Sequence, residues 1–225
     1  MGEGGVRVKI CGLVRREDAV FADEAGADYL GVVLTPGFGR SVDPARAAEL
    51  VEGTRARKVG VLVDASPDAA ELAGRAIGAD VLQLHGDESP DVLQELHARG
   101  PWALWKAVRA GSLGDVERAV QRYAHLADGL LVEGLQEGSL GVGGARVELD
   151  PGSVRKLVPL SIDFVLAGGL GAKTVRDAVG RFLPDVVDVS SGVEATLGKK
   201  DHALVRAFID GARSAGETSA MGRGR

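Results

Sequence analysis

The chain is poor in the residues that staple, stack or span. It has one cysteine, Cys11, so no internal disulfide can form, and a reducing compartment suits it. Two Trp, two Tyr and five Phe are too few for the aromatic platforms on which nucleobases stack. A net charge of −5 offers nothing to nucleic acid or to an anionic membrane surface. No apolar run approaches membrane-spanning length, and Met1–Val6 lacks an apolar leader core. A cytoplasmic location is therefore expected, with no nucleic-acid and no membrane partner. There is no His-x-His pair or CxxC spacing to suggest a metal. Gly168-Gly169-Leu170-Gly171 lacks the G-x-G-x-x-G spacing of a dinucleotide site. Neither a metal nor a cofactor is expected, and nothing fixes an oligomeric state.

What the chain does have is an ordinary globular composition, 45% hydrophobic and 26% charged, spread over 225 residues. Apolar strand-like runs alternate with helical patterns. Val6–Ile10 precedes Arg15–Ala25, Tyr29–Leu34 precedes Pro44–Thr54, and Lys58–Val63 precedes Pro67–Ile77. Val81–Leu84 precedes Ser89–Ala98, Ala103–Val108 precedes Leu113–His125, and Gly129–Val132 precedes Gly152–Val158 across a long loop. Phe164–Ala167 then precedes Lys173–Arg181, and Val186–Val189 precedes Asp201–Ala215. The strands look apolar on both faces, as parallel strands covered by helices should. Ser66-Pro67 and Asp43-Pro44 place a cap candidate before a first-turn proline, and Gly26 and Gly53 stand where helix C-caps belong. Eight such units in this length predict an α/β fold, a single (β/α)₈ TIM barrel over residues 1–215. A glycine-, serine- and arginine-rich tail at 216–225 is expected to be disordered.

Two junctions near the C-terminus carry a chemical signal. Val186–Val189 ends in Ser190, Ser191 and Gly192, and Phe164–Ala167 ends in Gly168 and Gly169. Hydroxyls, and glycines that let backbone N–H groups approach an anion, suggest the phosphate site that (β/α)₈ barrels build after strands seven and eight. The alternative is that the glycines only permit tight turns.

In a barrel, residues at strand C-termini meet at one mouth. Here they are Cys11, Arg40, Asp64, His85, Arg109, Glu133 and Asp188. Each also has a structural reading. For Cys11 that reading is a small buried hydrophobe, although its place at a strand end next to Gly12 suits an accessible thiol better; for His85 it is a bond to the backbone beside Gly86, and for Asp64 and Arg109 rim charges. Glu133 is harder to dismiss, because it directly follows the apolar run Leu130-Leu131-Val132. A thiolate whose pKa is lowered by nearby donors can accept a carbon-bound proton. A carboxyl group raised by apolar surroundings can donate one. With a phosphate site opposite, isomerisation of a sugar phosphate is the natural reaction class.

Several stretches resemble phosphoribosylanthranilate isomerase, a tryptophan-biosynthesis family. They are Lys9-Ile10-Cys11-Gly12-Leu13, Leu82–Glu88, Leu166–Leu170, Val187–Glu194 and Gly198-Lys199-Lys200-Asp201, in the same order and spanning nearly the whole chain. The resemblance implies an Amadori-type conversion of N-(5-phosphoribosyl)anthranilate to an aminoketose phosphate. It implies Cys11 as the base at C2′ and the strand-six carboxylate as the acid on the ring oxygen. It places Arg40 against the anthranilate carboxylate, Asp188 near the bridging amine, and the phosphate on Gly168, Gly169, Ser190, Ser191 and Gly192; His85 is expected with Arg40 and Asp188 among the substrate-binding residues. Three departures stand out. Glu133 replaces the family's usual aspartate, and Gly141-Val142-Gly143-Gly144 replaces Gly-Gly-Ser-Gly; Phe38-Gly39-Arg40 also differs from Ser-Pro-Arg. They leave open a relative acting on another N-substituted phosphoribosylamine, or a non-catalytic barrel that binds a phosphorylated ligand. The expected partner in every case is a small phosphorylated molecule.

Overall fold

Strand β1 (Arg7–Ile10) pairs on one side with β2 (Tyr29–Val33) and on the other with β8 (Val186–Val189), both in parallel. That double pairing closes the sheet. In this computed structural model, which describes residues 5–134 and 150–222 and the side chains of that set up to Ala215, eight parallel strands form one closed barrel in chain order. Between β2 and β8 run β3 (Arg57–Leu62), β4 (Val81–Leu84), β5 (Ala103–Ala110), β6 (Gly129–Gly134) and β7 (Asp163–Ala167). The intervening helices are α1 (Arg16–Ala25), α2 (Pro44–Val51), α3 (Pro67–Ile77), α4 (Pro90–Arg99), α5 (Leu113–Tyr123), α6 (Pro151–Leu157) and α7 (Val175–Phe182). The final helix, α8 (His202–Gly222), packs on α1 and α7. The expected tail at 216–225 lies outside the described side chains, and the glycine-rich loop at 141–144 lies outside the described residues.

The caps follow the sequence. Asp43 accepts from the Arg46 amide and Ser66 from the Ala69 amide, each before a first-turn proline. Gly26 ends α1 with φ 95°, a left-handed conformation that a Cβ disfavours. Two expectations shift. Helix α2 stops at Val51, ahead of Gly53, and α7 starts at Val175 rather than Lys173. The Gly171 amide donates to Thr174 Oγ1, and the Thr174 and Val175 amides donate to the Gly171 carbonyl, so residues 171–174 form a tight turn that leads into the helix.

Side-chain alternation splits the apolar residues into two cores. One lies between strands and helices and includes Val8, Ile10, Leu30, Leu82, Leu130, Phe164 and Val187. The other fills the barrel with Tyr29, Val59, Val61, Val81, Trp105, Leu131, Val165 and Val186, and Cys11 belongs to it. Gly129 makes room for Trp105, since a Cβ there would stand 2.5 Å from the indole. A short 3₁₀ turn (Ser191–Val193) and an antiparallel hairpin, β9 (Glu194–Thr196) and β10 (Lys199–Lys200), follow β8 over the mouth. The sequence pattern did not predict that hairpin.

Candidate active site

Period-two alternation decides which polar groups reach the mouth. Residues 9 and 11 of the first strand share the barrel-facing side, as do 83 and 85, 107 and 109, 131 and 133, and 188 and 190. The expected strand-end residues Cys11, His85, Arg109, Glu133 and Asp188 therefore converge. The strand order β6-β7-β8-β1-β2 then sets an arc: Glu133, the Gly168–Gly169 loop, the Ser190–Gly192 turn, Cys11 and Arg40.

Cys11 is not the accessible thiol that its strand-end position suggested: barrel packing buries it beside a buried ion pair. Lys9 Nζ donates to Asp188 Oδ1 at 3.1 Å, in register across β1 and β8, with the lysine fully enclosed. Burial alone would lower Lys9, but Asp188 and Cys11 outweigh it and hold the lysine above its usual range. Gly31 makes this possible: a Cβ there would lie 2.8 Å from Cys11 Sγ and 3.0 Å from Lys9 Nζ. The expected lowering of the Cys11 pKa is not what results. Burial pushes the thiol up, Lys9 opposes that, and Asp188 adds to it. The resting group is a thiol whose thiolate form Lys9 stabilises.

Glu133 also departs from expectation. Burial would push its carboxyl up, but hydrogen bonding and charge from His85, and then from Arg109, hold it below the usual carboxylate range. Arg109 Nε lies 3.2 Å and His85 Nε2 3.4 Å from the same oxygen, Oε1. His85 is not tied to the backbone beside Gly86; its Nδ1 lies 2.8 Å from Gln83 Nε2. Among the described residues Gln83 Oε1 has no partner, so the opposite amide orientation, with Oε1 facing Nδ1, fits the ring equally well. Asp64 is a loop-building group: φ is 48°, its Oδ1 accepts from the Asp87 amide, and Glu88 accepts from the amides of Asp64 and Gly86. Lys106 pairs with Glu88 in the interior and locks the β4 end that carries His85. A groove of about 710 Å³ opens beside His85 and Arg109, bounded by Asp64, Lys106 and Arg118.

Arg40 does not stand free. Its Nε and Nη2 donate to Glu194 Oε1 and Oε2 at 2.7 and 2.6 Å. Lys200 Nζ donates to Glu194 Oε1 at 3.0 Å and to the Ser190 carbonyl at 3.1 Å. Burial would raise the Glu194 carboxyl, but Arg40 and Lys200 hold it below its usual range. Gly12 lies under this group, because a Cβ would meet Arg40 Cδ at 2.5 Å and Ser190 Oγ at 2.7 Å.

The glycine cradle is sterically enforced. Gly168 and Gly169 have φ of 87° and 66°. A Cβ on Gly192 would stand 1.9 Å from the Leu170 carbonyl oxygen, which closes the two loops onto each other. Ser191 and Gly192 open a 3₁₀ turn, so their N–H groups have no partner within it and are available to an anion. Lys9, Gln83, Glu194 and Lys200 were missed as site residues. Lys9 was detectable, since it shares the face of Cys11 at a two-residue spacing.

Comparison with known proteins bears on this geometry. The sequence model of the family described as N-(5'-phosphoribosyl)anthranilate (PRA) isomerase matches residues 8–211. The chain is 42% identical over 207 residues to N-(5'-phosphoribosyl)anthranilate isomerase of Chromohalobacter salexigens, covering 90% of this chain and 92% of that protein. The crystal structure of phosphoribosyl anthranilate isomerase from Thermotoga maritima superposes with a TM-score of 0.83 at 34% identity, covering 93% of this chain and 99% of that one. A solved phosphoribosyl anthranilate isomerase in complex with reduced 1-(o-carboxyphenylamino)-1-deoxyribulose 5-phosphate superposes at 0.79, also at 34% identity, over 93% of this chain and 99% of that one.

Proposed function

The chain belongs to the N-(5'-phosphoribosyl)anthranilate isomerase family, and from that premise we propose how its barrel mouth performs the reaction. The enzyme converts N-(5-phosphoribosyl)anthranilate to 1-(2-carboxyphenylamino)-1-deoxyribulose 5-phosphate, an Amadori-type aldose–ketose isomerisation. In our reading Glu133 gives a proton to the furanose ring oxygen as the C1′–O bond breaks and the amine lone pair forms C1′=N. Cys11 takes the proton from C2′, and the resulting enolamine tautomerises to the ketone, so no atom is gained or lost. The phosphate sits on Gly168, Gly169, Ser190, Ser191 and Gly192, with backbone N–H groups as donors. Arg40 meets the aryl carboxylate, where a planar guanidinium matches a planar anion. Asp188 stands near the bridging amine, and His85 supports Glu133. We take residues 1–215 as one catalytic unit followed by a tail at 216–225, acting in the cytoplasm on this one small phosphorylated substrate.

The observation that carries this reading is the arc itself. A carboxylate ending β6 and a thiol after β1 flank the glycine loops of β7 and β8, so an anchored sugar phosphate lies between them. The test is turnover of N-(5-phosphoribosyl)anthranilate by the purified protein, with rescue of a tryptophan auxotroph lacking this isomerase. Turnover and growth are expected; an inactive, folded protein that still binds phosphate would refute the assignment of the site.

A further inference from the structure

Glu194 has no role in the chemistry above, yet its carboxylate is nearly enclosed and bonded through both oxygens to Arg40. A guanidinium carries five N–H groups on two usable edges. Glu194 takes the side-on edge, the Nε–H and one N–H of Nη2, through charge-assisted bonds of the bidentate kind. The end-on edge, formed by Nη1 and the second N–H of Nη2, is left for another planar anion. Lys200 offsets the charge of Glu194 at 3.0 Å and is itself buried. Arg40, Glu194 and Lys200 together carry one net positive charge, which a single incoming carboxylate neutralises. The same lysine holds the Ser190 carbonyl, so the cluster also fixes the distance from Arg40 to the phosphate turn. Leu197 of the hairpin lies against Gly39, the residue before Arg40, and Phe38 stands half-exposed.

We propose that Glu194 is a positioning residue that clamps the side-on edge of Arg40 and so presents its end-on edge to the aryl carboxylate of the substrate. This rests on the reading of Arg40 given above. A long, flexible side chain held before binding loses less freedom when the ligand arrives, so the clamp acts on affinity and selectivity rather than on bond making. Glu194 thereby helps decide that the N-substituent is a carboxylated aryl ring.

The experiment compares two glycosylamines formed in situ from ribose 5-phosphate, one with anthranilate and one with aniline, which lacks the carboxylate. Glu194→Gln is expected to raise KM for the anthranilate substrate about 5- to 10-fold. Its kcat should stay within about twofold of wild type, and kcat/KM for the aniline substrate should be unchanged. Glu194→Asp, which keeps the charge, should recover part of the loss, and it carries the measurement if Glu194→Gln does not fold. Arg40→Ala should abolish the preference for anthranilate. A Glu194→Gln enzyme with wild-type KM and wild-type preference, beside an Arg40→Ala enzyme that has lost it, would overturn the clamp while leaving Arg40 in place. If Arg40→Ala keeps the preference, the reading of Arg40 fails and the clamp fails with it. An equal loss on both substrates would make Glu194 merely structural and would also overturn the proposal.

Discussion

Arg109 Nε lies 3.2 Å from Glu133 Oε1, and the two residues stand in register across the β5–β6 pair. The acid we assign thus rests ionised, held below the usual carboxylate range, while burial pushes the Cys11 thiol up. Each group rests in the form opposite to the one its role requires. Resting and reactive states differ only in where one proton sits.

That arrangement has a signature in the pH dependence of kcat/KM. Between the two pKa values the fraction with Cys11 as thiolate and Glu133 protonated is constant. The profile is expected to be flat over at least about pH 5 to about pH 8.5, because the Glu133 value lies below the ordinary glutamate range and the Cys11 value above the ordinary cysteine range. Below the Glu133 value the thiolate fraction falls with pH; above the Cys11 value the protonated carboxyl fraction falls. A single acid limb well inside that window would contradict the assignment of the proton to Glu133.

Removing Arg109 should move the acid limb. Its charge and hydrogen bond both favour the ionised carboxylate, so Arg109→Ala raises the Glu133 pKa. The limb is then expected at higher pH, with a plateau no lower than that of wild type, since more of the acid is loaded. An unmoved limb in Arg109→Ala would show that another group sets it.

Cys11→Ser is expected to keep the fold and the inhibition constant for inorganic phosphate while losing about 10²–10⁴ in kcat. A serine hydroxyl is too weak a base to replace the thiolate, and Lys9 cannot lower it far enough. Turnover near the wild-type rate would refute Cys11 as the base.

Gly192→Ala addresses the anion cradle. The added Cβ would meet the Leu170 carbonyl at 1.9 Å, so one of the two loops must move. A stability loss of about 1–3 kcal/mol is expected, as for other overpacked sites. Phosphate inhibition should weaken at least tenfold in the same variant, read by steady-state inhibition and thermal unfolding. Unchanged phosphate inhibition would move the anion elsewhere.

The barrel was legible in the sequence because parallel strands covered by helices must be apolar on both faces, and eight such runs alternate with capped helices. The ends of β5 and β6 were read too short for the same reason. Glu133, Gly134, Arg109 and Ala110 extend β6 and β5 past their apolar runs, because ladder hydrogen bonds do not depend on side-chain polarity. The mouth residues were legible singly, but their couplings were not. Lys9 with Asp188 and Arg40 with Glu194 lie 179 and 154 residues apart in the chain, and only barrel closure brings them together. The direction of the Glu133 shift was not legible, because only the apolar approach of Leu130–Val132 is visible locally, whereas His85 and Arg109 arrive from neighbouring strands.

The central claim is that Glu133, in place of the family's aspartate, is the acid. The most direct measurement is kcat of Glu133→Gln on N-(5-phosphoribosyl)anthranilate, with thermal stability and phosphate inhibition taken on the same preparation. A loss of about 10²–10⁴ in kcat is predicted, with phosphate inhibition unchanged. A kcat within about threefold of wild type, too small a loss for a positioned general acid, would contradict it.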